Sequence, residues 1–111
     1  MKLDELAQRL GLEVRTAKGK LDVQVTGGYV SDLLSWVMAK AQAGNVWITI
    51  QAHSNIVAVA SLIGLSGIIV AEGVTPEPAT LEKAEQEGIP ILTTPLPMYP
   101  VAGKMHELGI R

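Results

Sequence analysis

The sequence predicts an α/β fold: a small three-layer-like domain with a mainly parallel sheet built from βα units, preceded by an N-terminal helix and a β-hairpin. Three observations carry this expectation. Residues 46–50, 67–71 and 89–93 are short apolar runs rich in Val and Ile, the composition of strands buried on both faces. A helical pattern ending on Gly44, Gly64 or Gly88 precedes each run. The connections are tight, which for strand–helix–strand units implies parallel pairing with right-handed crossovers. At 111 residues the chain is expected to form one domain, with residues 1–28 as helix and hairpin and 29–111 as the parallel units.

The elements follow in chain order. Leu3, Leu6, Ala7 and Leu10 share one helical stripe, and Gly11 supplies its stop. Residues 12–16 and 21–25 alternate apolar with polar around Lys18-Gly19-Lys20, which reads as a hairpin ended by Gly27-Gly28. Ser31 is the expected N-cap of the next helix, with Asp32 at its positive end and Leu33, Leu34, Val37, Met38 and Ala41 on its apolar face. After the 46–50 strand, Ser54 or Asn55 caps a helix reaching Ile63 that is apolar nearly all round and expected to be buried. Pro76 and Pro78 open a third helix over 79–87. Pro90 belongs at the entry of the last strand or on an edge, and a final helix spans about 99–108.

Composition excludes several function classes. There is no cysteine, so disulfides, thiol nucleophiles and thiolate metal sites are absent. Nine Lys+Arg against eleven Asp+Glu give a formal charge of −2, without the basic excess of a nucleic-acid binder. Residues 6–11 resemble the first helix of a helix-turn-helix, but no basic recognition helix follows. The acidic start lacks a signal-peptide pattern, and the least polar stretch, 56–71, is shorter than a membrane span. The expectation is a cytoplasmic protein with no membrane or nucleic-acid partner. Gly19-Lys20 precedes Leu21 and Gly103-Lys104 precedes Met105, so no phosphate-binding P-loop is present.

In a parallel sheet, ligands sit beyond the carboxyl ends of the strands. That rule selects the loops 51–55, 72–75 and 94–98, and with them His53, Ser54, Asn55, Glu72, Thr93 and Thr94 as candidate ligand-binding residues. His53, Ser54 and Asn55 serve either a small polar or anionic ligand at the helix start or simply a capping turn. His53, His106 and Glu72 have no spacing that selects a metal site. Ser54 or Thr93 with His53 would be needed for nucleophilic catalysis, and no Gly-x-Ser-x-Gly elbow supports it. No catalytic residue, metal or cofactor is therefore expected. Trp36, on the flank of its helix stripe, and Tyr99 are candidate interface residues, whereas Trp47 belongs in the core.

Residues 28–35 (Gly-Tyr-Val-Ser-Asp-Leu-Leu-Ser), the strand 46–50, the helix segment Asn55-Ile56-Val57-Ala58-Val59-Ala60 and Gly67-Ile68-Ile69-Val70 together resemble the DRTGG domain family, as does the 88–92 strand entry. The name-giving Asp-Arg-Thr-Gly-Gly string is missing; Val25-Thr26-Gly27-Gly28 is the nearest match. Such domains are similar to the N-terminal domain of HPr kinase/phosphorylase and occur joined to CBS-domain pairs and phosphotransacetylases. Small stand-alone versions are associated with hydrogenase genes in anaerobes. The resemblance implies a regulatory or ligand-sensing module and carries no catalytic residue, because the kinase chemistry belongs to a separate P-loop domain. The alternative is a structural or assembly subunit of a redox complex, acting through an apolar interface. Under both readings a homo-oligomer, with a dimer favoured, is expected.

Overall fold

A computed structural model describes residues 1–111. Five strands, β1 (Glu13–Val14), β2 (Gly27–Val30), β3 (Asn45–Thr49), β4 (Gly67–Val70) and β5 (Ile91–Thr93), form one sheet in the order β1-β5-β4-β3-β2. Strands β2 to β5 are parallel, and β1 runs antiparallel along β5. Helices α1 (Leu3–Leu10), α2 (Leu34–Lys40), α3 (Asn55–Ile63), α4 (Pro78–Glu87) and α5 (Met98–Glu107) cover both faces.

Strand alternation divides the core into two layers. Trp47, Ile68, Val70 and Ile91 point to one side, where they bury Val37 of α2, Ile56, Val57, Val59 and Ala60 of α3, and Ala84 of α4. Val46, Ile48, Ile69 and Leu92 point to the other, against Leu3 and Leu6 of α1 and Val101 and Met105 of α5. The expected three-layer α/β architecture is therefore present. Its central strands are almost wholly apolar because each faces helices on both sides.

Several local expectations are corrected. The segments 12–16 and 21–25 do not form a hairpin. Residues 13–14 pair with β5, while the second segment runs beside the N-terminus, with Leu3 N–H donating to Val23 O and Val25 N–H to Met1 O. Alternation marks an extended, half-buried segment but does not name its partner. The connection is no hairpin turn either: Ala17 takes a left-handed conformation and a short 3-10 turn, Lys18–Lys20, follows. The edges of the sheet are β1 and β2.

Gly27 and Gly28 begin strand β2 rather than ending a hairpin. They stand where other groups come close. A Cβ at Gly27 would lie 3.1 Å from Asn45 Nδ2, and one at Gly28 would lie 3.2 Å from Met105 Cε. Glycine in a strand often marks such an approach.

Ser31 does not cap α2. Its Oγ accepts the Leu33 N–H at 3.0 Å, and the helix starts two residues later than the sequence pattern suggests, with Leu33 as the residue before it. Helix α3 is buried on one side only, since Ala58, Ser61 and Leu62 face outward. Pro78 opens α4 and Pro90 sits just ahead of β5, both as expected. No helix is long and apolar enough to cross a membrane.

Candidate functional site

The parallel strands all deliver their carboxyl ends to one rim, and backbone hydrogen bonds lace the following loops together. Glu77 N–H after β4 donates to Ala52 O after β3 at 3.1 Å, and the buried Thr80 hydroxyl donates to the same carbonyl at 2.7 Å. Glu72 N–H reaches Leu96 O at 2.9 Å and Gly73 N–H reaches Thr94 O at 3.0 Å, joining the loops after β4 and β5. Glu72 holds a positive φ of 63° and Gly73 one of 70°, so the chain turns sharply as it leaves β4. Glu72 is not a glycine and its backbone is strained there, a feature that concentrates at functional loops.

At one end of this rim, where β1 lies against β5, there is a cavity of about 290 Å³. Glu13, Arg15, Gly73, Thr75, Thr93 and Thr94 contribute to its walls. The register explains the grouping. Glu13 faces Thr93 across the antiparallel pair, and Val14 between Glu13 and Arg15 turns to the opposite face, where it joins the α1–α5 core. Glu13 and Arg15 are thus neighbours on one side of an extended segment, with Arg15 Nε 3.4 Å from Glu13 Oε1. Arg15 is fixed from behind by its own N–H, which donates to Ile91 O at 2.8 Å.

The residues selected from the sequence separate into two groups. Thr93 and Thr94 line the cavity, and Glu72 directly precedes its Gly73 wall. The Thr94 hydroxyl is engaged, accepting the Leu96 N–H at 3.2 Å, while the half-buried Thr93 hydroxyl has no partner in the protein. His53, Ser54 and Asn55 stand apart from the cavity at the start of α3. His53 Nδ1 accepts the Asn55 N–H at 3.1 Å, which is a capping role at the start of α3. Ser54, the residue before α3, makes no side-chain capping bond. His53 has no hydrogen bond to the Ser54 or Thr93 hydroxyl, and no three His, Asp or Glu side chains converge to hold a metal ion.

Trp36 is 51% exposed on α2, with the Lys40 ammonium 5.5 Å from its ring centroid. Tyr99 is exposed at the start of α5, and Met105 is buried beneath that helix. Arg15, Glu13 and Thr75 were not singled out from the sequence. The charged pair two residues apart on an extended segment was visible as a pattern, but its location depends on β1 pairing with a strand near the other end of the chain.

The family model of the DRTGG domain matches residues 5–108. Among solved structures, the crystal structure of the CBS and DRTGG domains of the regulatory region of Clostridium perfringens pyrophosphatase, complexed with the activator diadenosine tetraphosphate, superposes with a TM-score of 0.73 at 20% identity. The match covers 94% of this chain and 45% of that one, so the present chain spans less than half of its length. At that identity the likeness is one of fold. A comparison with curated proteins found no match.

Proposed function

The chain belongs to the DRTGG domain family, and from that premise we propose that it is a non-catalytic regulatory module that senses a small polar ligand at the cavity between β1 and the loops after β4 and β5. The observation that carries this reading is the rim itself. Loops from separate strands are tied together by backbone bonds and leave unpaired polar side chains around one concavity, at the end of the sheet where parallel folds bind ligands. A bound ligand would tie these loops and β1 together, which is a means of passing a signal to whatever the module contacts. The structural neighbour belongs to a regulatory region crystallised with an activator, which agrees with such a role.

Differential scanning of the protein against nucleotides, phosphorylated metabolites and simple anions tests the proposal. A ligand at ten times its Kd adds about 1.4 kcal/mol and should raise Tm by about 5 °C or more. Thr75→Val and Thr93→Val should each reduce that rise. A panel without effect at millimolar concentration, or a rise that both variants leave intact, would count against it.

A second reading has its own support. Leu33 and Trp36, three residues apart at the start of α2, are both exposed, and α2 follows a β2 strand whose outer edge is unpaired. We infer that a second copy covers this surface. Asp32 lies two residues ahead of α2 and Lys40 is its last residue, so two antiparallel copies set unlike charges opposite one another. Light scattering should find a dimer at micromolar concentration that Trp36→Glu converts to a folded monomer. A wild-type monomer across that range would dismiss this reading.

A further inference from the structure

We propose that the cavity beside β1 is an oxyanion site in which Arg15 exchanges its contact with Glu13 for a phosphate- or carboxylate-bearing ligand. This rests on the ligand-sensing reading above and names the chemistry of the ligand.

Four features of the site lead there. The first is a surplus of donors. Arg15 carries five N–H groups, and its only ionic contact is the 3.4 Å approach of Nε to Glu13, which leaves both terminal nitrogens without a partner in the protein. The Thr75 N–H, the Thr75 hydroxyl and the Thr93 hydroxyl also make no hydrogen bond within the protein. A planar guanidinium with neutral donors around it suits the several oxygens of a phosphate or carboxylate.

The second is the unequal anchoring of the ion pair. The Arg15 side chain is 28% exposed and its backbone is bonded to β5, whereas the Glu13 side chain is 72% exposed. An exposed, long ion pair contributes little, so the Glu13 carboxylate can leave without disturbing the fold. Glu13 therefore acts as a weak internal occupant that keeps Arg15 neutralised until a better anion arrives.

The third is what the walls lack. No aromatic side chain lines the cavity, and Val74 and Pro95 are its apolar members. Nucleobases are held by stacking on aromatic faces or guanidinium planes, and the one guanidinium here, Arg15, is the group that would take the anion. The cavity is thus suited to the anionic part of a ligand and provides no aromatic platform for a base. The fourth is size, since about 290 Å³ lies at the lower end of the volumes of small-molecule pockets, about 300–1,000 Å³. That is room for a phosphorylated compound of a few carbons.

Amide-resolved NMR titration of the full chain with inorganic phosphate, glycerol 3-phosphate and glycerol tests the proposal. Both phosphates should shift the Gly73 and Thr75 amides saturably, and glycerol should not. Arg15→Gln should weaken binding at least about tenfold, Arg15→Lys should weaken it less, and Glu13→Gln should tighten it about threefold or more. Unchanged amides elsewhere in the spectrum show that each variant keeps the fold. Glycerol binding as well as glycerol 3-phosphate would overturn the oxyanion assignment while leaving a ligand site in place. Phosphate shifts that survive Arg15→Gln would overturn it as well. If no probe, charged or neutral, moves those amides, the oxyanion assignment falls; the ligand-sensing reading falls only if the wider scanning panel is also without effect.

Discussion

Trp47→Ala is expected to destabilise the protein by about 4 kcal/mol, within the range for deleting a large aromatic side chain from a core. Trp47 is fully buried in β3, paired with Tyr29 of β2 on one side and Ile68 of β4 on the other. Its ring fills the layer beneath α2 and α3, and its Nε1–H donates to Ser31 O at 2.8 Å, tying the β2–α2 turn to the sheet. Alanine removes the ring and that bond together. Against a total stability of about 5–15 kcal/mol, the loss should shift the urea midpoint far toward zero. Trp47→Phe keeps most of the volume and gives up the bond, so it should cost about 1–2 kcal/mol. The chain has two tryptophans, so Trp47→Ala leaves only the half-exposed Trp36 to report. The native emission should then move to longer wavelength. A loss below about 1 kcal/mol would mean that the core around β3 closes over the void far better than close-packed interiors do.

The neighbourhood of Trp47 also shows which parts of the fold can be read from sequence. The runs at 46–50 and 67–71 are apolar at every position or nearly so, a pattern that needs cover on both faces and therefore points to a central parallel strand. Gly64 and Gly88 end α3 and α4 in left-handed conformations as their positions predict, whereas α2 stops at Lys40, short of Gly44, because Ala41 is already extended. The N-terminal third was less legible for a physical reason. Residues 12–16 and 21–25 alternate correctly for half-buried extended chain, but their partners are β5 and the N-terminal residues, and period two carries no address. In β2, glycine's low strand propensity concealed a strand whose glycines serve close packing.

The candidate site divides the same way. The rule about strand ends finds the 72–75 loop and Thr93 and Thr94 without any knowledge of contacts, because it depends only on chain direction. The same rule also picks out His53, whose ring nitrogen is occupied with the start of α3. Arg15 escapes it because β1 runs antiparallel, so its residues approach the rim from the opposite direction. A charge supplied by the one antiparallel strand cannot be located until the pairing is known.

That pairing leads to the second large effect. Thr16→Val is expected to cost about 2–6 kcal/mol, from two buried groups losing their partner at about 1–3 kcal/mol each. Thr16 is 2% exposed, its hydroxyl donates to Ile89 O at 2.8 Å and accepts the Ile91 N–H at 2.8 Å, and no other side chain bonds both. Valine has nearly the same shape, so packing is kept and the loss isolates the hydrogen bonds. The hydroxyl extends the β1–β5 ladder past Val14, and the next residue, Ala17, is held by its N–H donating to Glu85 Oε2 at 2.8 Å. Removing the Thr16 bonds should therefore loosen β1 locally and let Arg15 drift from the cavity. Hydrogen exchange at Ile91 should accelerate well before exchange in β3 does, and affinity for anions at the cavity should fall. Thr16→Ser preserves both bonds and should lie within about 1 kcal/mol of the parent. If Thr16→Val matched Thr16→Ser in stability and exchange, the hydroxyl would not be what holds the antiparallel strand. The cavity would then need another anchor, and the Ala17–Glu85 contact is the remaining side-chain bond able to supply one.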